Sequence, residues 1–207
     1  MIIAVDGPAA SGKGTIARAL AAHFGLPHLD TGLLYRAVGI ATLRAGGDPS
    51  CEADALAACG FSDGMLADPA LKSEAAGAAA SRVSVFPAVR AALIARQRAF
   101  AAQPGGAVLD GRDIGTVIAP HADAKLFVTA RAEVRAQRRH DELERMGLPT
   151  HYEAVLTDIR ERDRRDTERS AAPLRQADDA DLLDTSDLAI GPAVQRAIAL
   201  VENRITR

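Results

Sequence analysis

Lysine is scarce in this 207-residue chain: there are three, against 22 arginines. Positive charge is supplied almost everywhere by arginine, so a lysine marks a task that a guanidinium cannot perform. Cysteine is rarer still. Cys51 and Cys59 have neither metal-site nor redox-motif spacing and are expected as reduced, buried thiols. The five histidines, His23, His28, His121, His140 and His151, are scattered, so no metal site built from side chains alone is expected. No apolar run approaches the roughly 20 residues that cross a bilayer. The opening Met1-Ile2-Ile3-Ala4-Val5-Asp6 lacks the basic leader of a signal peptide and meets an acid too soon. A cytoplasmic protein without a membrane partner is therefore expected. An excess of either charge is missing as well. The net charge of −2 leaves no overall field to hold nucleic acid.

What remains is enough for a real core, with 48% hydrophobic residues and no internal repeat. Ile2 to Val5 reads as a short buried strand, ended by Asp6-Gly7-Pro8. Ile16, Ala17, Leu20 and Phe24 recur at helical spacing until Gly25. Leu26 to Asp30 reads as a second strand and Leu33 to Leu43 as a helix. From Pro49 to Gln103 the chain is alanine-rich, with hairpin-like punctuation at Ser62-Asp63-Gly64 and Asp68-Pro69 and a long helix over Val89 to Ala102. This stretch reads as an inserted lobe. Strands return at Ala107 to Leu109, Lys125 to Thr129 and Leu182 to Asp184. Charged helices fall at Glu133 to Arg145 and Tyr152 to Arg169, and an amphipathic one closes the chain at Pro192 to Ile205. Short apolar strands alternating with helices predict an α/β fold with a parallel sheet covered on both faces.

The segment Gly7-Pro8-Ala9-Ala10-Ser11-Gly12-Lys13 has the spacing G-x-x-x-x-G-K. Such a loop wraps a phosphate with backbone N–H groups, and the following helix presents its positive dipole end. Lysine is a compact charge on a flexible stem and fits inside the loop where a planar fork does not. Gly14 intervenes before Thr15, which still offers a hydroxyl to help hold Mg²⁺. A plain glycine-rich turn would account for the glycines but not for strand, loop, lysine and helix in that order. Asp110 ends an apolar strand, where Mg²⁺-organising acids sit in such folds.

Arginines cluster elsewhere. Arg36 lies in Asp30-Thr31-Gly32-Leu33-Leu34-Tyr35-Arg36, and Arg112 in Asp110-Gly111-Arg112-Asp113. Arg160 to Arg169 holds five arginines and four acids, a balance that argues against a nucleic-acid patch. Arg162, Asp166 and Arg169 share one helix face, which Val155 and Ile159 continue toward the core. Arg160, Asp163 and Arg164 read as a solvated, ion-paired face. Arginine forks can stabilise a migrating phosphoryl group, and such fingers are worth roughly 10³–10⁵ in rate.

The stretches "DGPAASGKGT", "LDTGLLYR", "SRVSVFPAVRAALIARQRAF", "DGRDIGTVIAP", "ERDRRDTERSAAPL" and "LDTSDL" resemble the bacterial cytidylate kinases, members of the nucleoside monophosphate kinase group, over essentially the whole chain. The resemblance implies a P-loop three-layer fold with an inserted monophosphate-binding lobe (about 38–103) and a helical lid (about 133–169). The core would be 1–37, 104–132 and 170–207. It implies transfer of the γ-phosphoryl group of ATP, with Mg²⁺, to CMP or dCMP. Lys13, Asp110, Arg112 and Arg162 would be catalytic. Gly7 to Thr15 would bind ATP, with Arg135, Arg138 and Arg139 near the triphosphate. Arg36 and Arg112 would hold the acceptor phosphate. Ser81, Arg90, Asp113 and Arg169 would surround the cytosine, and Arg162 and Asp166 would approach the ribose, with Thr31 in the DTG turn. Ser84 is an equally available hydroxyl beside Ser81. Asp113 would accept from the cytosine amine and repel the uracil carbonyl, so CMP should be preferred to UMP. A monomer is expected. A GTPase-type switch would need an Asn/Thr-Lys-x-Asp guanine reader, which neither Lys72 nor Lys125 supplies. A small-metabolite kinase on the same fold is the alternative.

Overall fold

Ile2–Asp6 is too short to be a helix and is buried along almost its whole length. In the computed structural model, which describes residues 1–206, it forms the central strand β1 of a five-stranded sheet. The others are β2 (His28–Asp30), β3 (Ala107–Gly111), β4 (Ala124–Thr129) and β5 (Asp181–Asp184), in the order β2-β3-β1-β4-β5. Every pairing is parallel. Alternate residues of β1 therefore serve opposite faces. Ile3 and Val5 pack with Leu126, Val128 and Leu183 against helices α1 (Lys13–Phe24) and α8 (Ile190–Ile205). Ala4 and Leu109 pack on the other face with Ala101. The chain leaves β1 toward β2 on one side and leaves β3 toward β4 on the other, so a crevice opens at the carboxyl ends of β1 and β3, the usual ligand position in such sheets.

Residues 31–101 form helices α2 (Thr31–Arg44), α3 (Glu52–Ala57), α4 (Glu74–Val83) and α5 (Pro87–Ala101). The punctuation expected to make hairpins makes 3₁₀ turns instead, at Ala58–Gly60, Asp63–Ala67 and Pro69–Lys72. At Asp68-Pro69 local capping decides this. The Asp68 carboxylate accepts from Ala70 N at 2.8 Å, and the Ser73 hydroxyl accepts from Ala76 N at 3.1 Å to start α4. Alanine is abundant here because α2 and α4 touch: a Cβ on Gly39 would lie 2.6 Å from that of Ala79. The cysteines are free, but Cys51 is exposed at the start of α3 and Cys59 only half-buried, contrary to the expectation of buried thiols.

Helices α6 (Ala132–Arg145) and α7 (Tyr152–Glu168) pair as a hairpin with a small core of Ala136, Leu143, Val155, Leu156 and Ile159. Val155 and Ile159 thus bind α7 to α6 rather than to the sheet. Arg169 does not continue the helix. It is the cap residue, with extended backbone (φ −60°, ψ 140°). One element has no sequence signal: a single π-helical turn over Ile114–Ile118, closed by Ile118 N to Asp113 O (3.2 Å) and Ala119 N to Ile114 O (2.7 Å). Among the described residues no single helix is long and apolar enough to cross a membrane.

Candidate active site

The phosphate loop runs from the end of β1 into α1. Gly7 is obligatory on spatial grounds, since a Cβ there would sit 2.0 Å from Val128 O. Ala10 (φ 58°) and Gly12 (φ 88°) adopt left-handed backbone, which curls successive peptide N–H groups toward one point. No side chain caps α1, leaving its terminal N–H groups for an anion. Lys13 Nζ donates to Pro8 O at 3.3 Å. Burial pushes its ammonium down to about 7; Arg112 adds to the shift, while Asp110 and Asp30 oppose it. The lysine thus waits for a negative charge.

Asp110 is buried beside this loop. Its Oδ1 lies 2.7 Å from His28 Nε2. A Cβ on Gly14 would lie 3.7 Å from Oδ2, so that oxygen faces the loop next to Thr15. The Thr15 hydroxyl accepts from Arg18 Nη2 at 3.3 Å. A hydroxyl and a carboxylate oxygen flanking one phosphate loop form an oxygen donor set of the kind Mg²⁺ takes. Thr31 is buried and donates from Oγ1 to Asp110 O at 2.8 Å; it props the strand end.

Arg112 and Asp113 follow β3. Arg112 Nε donates to Asp166 Oδ2 at 2.7 Å, and Arg90 Nη2 donates to Asp113 Oδ2 at 2.5 Å. Arg169 stands between the two acids, 3.7 Å from Asp113 and 4.0 Å from Asp166. The result is an alternating row, Arg90–Asp113–Arg169–Asp166–Arg112, with one positive charge to spare. Arg112, Arg162 and their contacts hold the Asp166 carboxyl below its ordinary value against the opposing pull of burial. Burial, with Arg112 nearby, pushes Arg162 down to about 10. Arg162 Nε and Arg169 Nη2 have no hydrogen-bond partner among the described residues. Arg36 Nη1 donates to Leu71 O at 3.0 Å. Ser81, not Ser84, lines the cleft. The Ser84 hydroxyl turns back to Ser81 O at 3.1 Å, while Ser81 Oγ accepts from Arg165 Nε at 3.2 Å.

Two cavities lie on either side of the loop. One, of about 400 Å³, is walled by Gly12, Thr15, Arg138, Thr185, Leu188 and Ile190. The other, of about 540 Å³, is walled by Lys13, Arg36, Ser81, Arg112, Arg162 and Arg165. They share Ala10, Arg139 and Glu142. Each is the size of a small-molecule site.

The α6 arginines divide the work differently from the sequence reading. Arg135 is buried and fully engaged, with Ala130 O (2.8 Å), Ala9 O (3.2 Å) and both oxygens of Asp163 (3.0 and 2.5 Å). It ties the hairpin to the loop and lines neither cavity. Asp163, expected on a solvated face, is its partner. Arg138 donates to Thr185 O at 2.6 Å. Arg139 pairs only with Glu142, at 2.8 Å, and reaches both cavities. Sequence reasoning missed Asp6, His28, Arg165 and Thr185. Thr185 had a signal, since it directly follows β5. Its Oγ1 donates to Ser11 O at 3.0 Å. Asp6 is pushed up to about 7, chiefly by burial, against the N–H groups of Gly115 and Ile114.

The family model described as "Cytidylate kinase" matches residues 3–203. A curated cytidylate kinase of Xanthobacter autotrophicus is 62% identical over 99% of this chain and 98% of its own. One of a Methylobacterium species is 60% identical over the same shares. Among solved structures, a gluconokinase from Sinorhizobium meliloti has a TM-score of 0.53 at 17% identity, covering 99% of this chain and 93% of its own; it shares the fold. The chain belongs to the cytidylate kinase family, and it is an enzyme.

Proposed function

We propose that the enzyme transfers the γ-phosphoryl group of ATP to CMP or dCMP, giving ADP and the diphosphate. The observation that carries this is the pair of cavities meeting at Ala10 and Arg139 beside Lys13: two nucleotides can sit end to end with their phosphates at one loop. ATP occupies the smaller cavity, its triphosphate on Gly7 to Thr15. Lys13 gains a charge partner and holds the terminal phosphates. Thr15 and, through water, Asp110 would hold Mg²⁺, which would neutralise the charge developing on the transferred group.

The acceptor lies in the larger cavity. Arg36 and Arg112 take its phosphate, and Arg162 reaches the transferring group. An ionised phosphate oxygen attacks the γ-phosphorus in line and the β–γ bridging oxygen leaves with ADP. Phosphate needs no strong base, so the work is positioning and charge stabilisation. Asp166 and Arg162 face the ribose. Arg90, Asp113, Arg169 and Ser81 read the base. Residues 38–103 form the acceptor lobe and 133–169 the lid, which excludes water when closed. The protein acts as a cytoplasmic monomer.

An acceptor panel with MgATP tests this. CMP and dCMP should turn over fastest, UMP slowly and AMP hardly at all. A preference for AMP or a non-nucleotide acceptor overturns the reading. Asp113→Ala should narrow the CMP-to-UMP preference by about 10–100-fold; an unchanged ratio would place base recognition elsewhere.

A further inference from the structure

Asp6 is the last residue of β1, immediately before the phosphate loop, and lines neither cavity. It is 5% exposed. Its Oδ1 accepts from Ile114 N and its Oδ2 from Gly115 N, both at 2.8 Å. Those two amides follow Arg112 and Asp113 directly and open the π-turn. One carboxylate thus grips two consecutive peptide groups of the segment that carries the acceptor-side charges. Among the described residues, Arg112 and Asp113 hydrogen-bond only to Asp166, Arg90 and their own segment, with Arg169 3.7 Å from Asp113. Those partners lie on α5 and α7, away from the donor loop. The β1–β3 ladder already holds the chain as far as Gly111, opposite Asp6; the grip at Ile114 and Gly115 fastens it to the same strand on the far side of Arg112 and Asp113. A neutral residue of similar size would fill the space, but it could not accept from both amides. The charged groups facing Asp6 are Asp113 and Arg112, with opposite effects. The Lys125 stem flanks Gly115, and its ammonium bonds elsewhere, to Pro120 O and Asp179.

We propose that Asp6 is a positioning residue that sets Arg112 and Asp113 in register with the phosphate loop, so that the acceptor phosphate meets the γ-phosphoryl group in line. This rests on the reading of Arg112 and Asp113 as acceptor ligands. Transfer depends steeply on alignment, while ATP binding alone does not. Displacing the segment should therefore separate the two.

Asp6→Asn keeps the shape but turns one oxygen into an N–H donor facing a peptide N–H. Gly115→Ala attacks the same bond from the other side, because its Cβ would lie 3.4 Å from Asp6 Oδ2 and 3.1 Å from Lys125 Cδ. Calorimetry on the full chain gives Kd for CMP and ATP separately; steady-state assays give kcat, KM and the share of ATP lost to water. In Asp6→Asn, kcat/KM for CMP should fall about 100-fold, the loss expected for an ångström-scale misplacement. Its CMP Kd and the share lost to water should rise, with ATP Kd within about threefold, under half a tenfold step in binding energy. Gly115→Ala should show the same split more weakly, and it decides the matter if Asp6→Asn does not fold. Unchanged CMP kinetics, or CMP and ATP Kd rising together, would overturn the role assigned to Asp6 while wild type still bound CMP. A wild-type chain that binds no CMP overturns the acceptor reading, and this inference with it.

Discussion

The loop proposed for the donor phosphates and the pocket proposed for the acceptor are built on opposite plans. The donor loop is one contiguous stretch, Gly7 to Thr15, made of glycine, small side chains and one lysine. Its attraction comes from peptide dipoles that need no counter-charge. The acceptor pocket draws on four distant segments, around Arg36, Ser81 to Arg90, Arg112 and Asp113, and Arg162 to Arg169. Part of its charge is already paired, Arg112 with Asp166 and Arg90 with Asp113, while Arg36 and Arg162 meet no acid among the described residues. Dipoles fixed in a backbone bind any polyphosphate tail. A lattice of paired forks and carboxylates presents a defined pattern of donors and acceptors, and so can tell one base from another. The proposed function thus assigns generic grip and selective reading to different physics.

Three experiments sharpen the contrast. The largest effect is expected from Lys13→Ala. Its ammonium has one bond, to Pro8 O, so little stability is at stake. The kcat should fall about 10²–10³-fold, with the thermal midpoint near wild type; retained activity would break the donor half of the comparison. Arg112→Ala should behave differently. It strands the buried Asp166 carboxylate and should cost about 3 kcal/mol of stability, read by denaturant unfolding, besides weakening CMP. A variant as stable as wild type would show that the pairing is not structural. The smallest effect is on pH. Free Lys13 titrates at about 7, so at pH 8 it is largely neutral. A bound triphosphate favours the ammonium and raises that value, so binding takes up a proton. ATP affinity should therefore fall as pH rises above about 7, by at most about tenfold per unit. Titrations in buffers of different ionisation heat would register the uptake; no uptake at pH 8 would mean that the lysine is already charged.

The same contrast explains what could be read from the chain before its structure. The donor loop is legible because its parts are neighbours in sequence. So are the five strands and the α6–α7 pair, whose periodicity is strong. The partners that orient the site are not legible, because they come from remote residues. Asp6 meets Ile114 and Gly115, His28 meets Asp110, and Arg135 meets Asp163 and Ala9 only after folding. Asp163 shows the error plainly: in a run of alternating charge it looks like a solvent-facing acid, yet a buried guanidinium claims it. The 3₁₀ turns between residues 58 and 72 were misjudged for a local reason. Asp-Pro and Ser-Asp-Gly serve hairpins and helical turns alike, and at Pro69 the Asp68 cap tips the balance.

The guanidinium of Arg135 pins the root of the helical hairpin to the carbonyl of Ala9. A beam fastened at one end delivers its travel at the other. Small rotations at that root become a wide sweep at Met146 to Pro149, some fifteen ångströms along α6 at 1.5 Å per residue. If residues 133–169 act as the proposed lid, the cleft gains an aperture that opens at its rim while the floor beneath the proposed triphosphate site holds still.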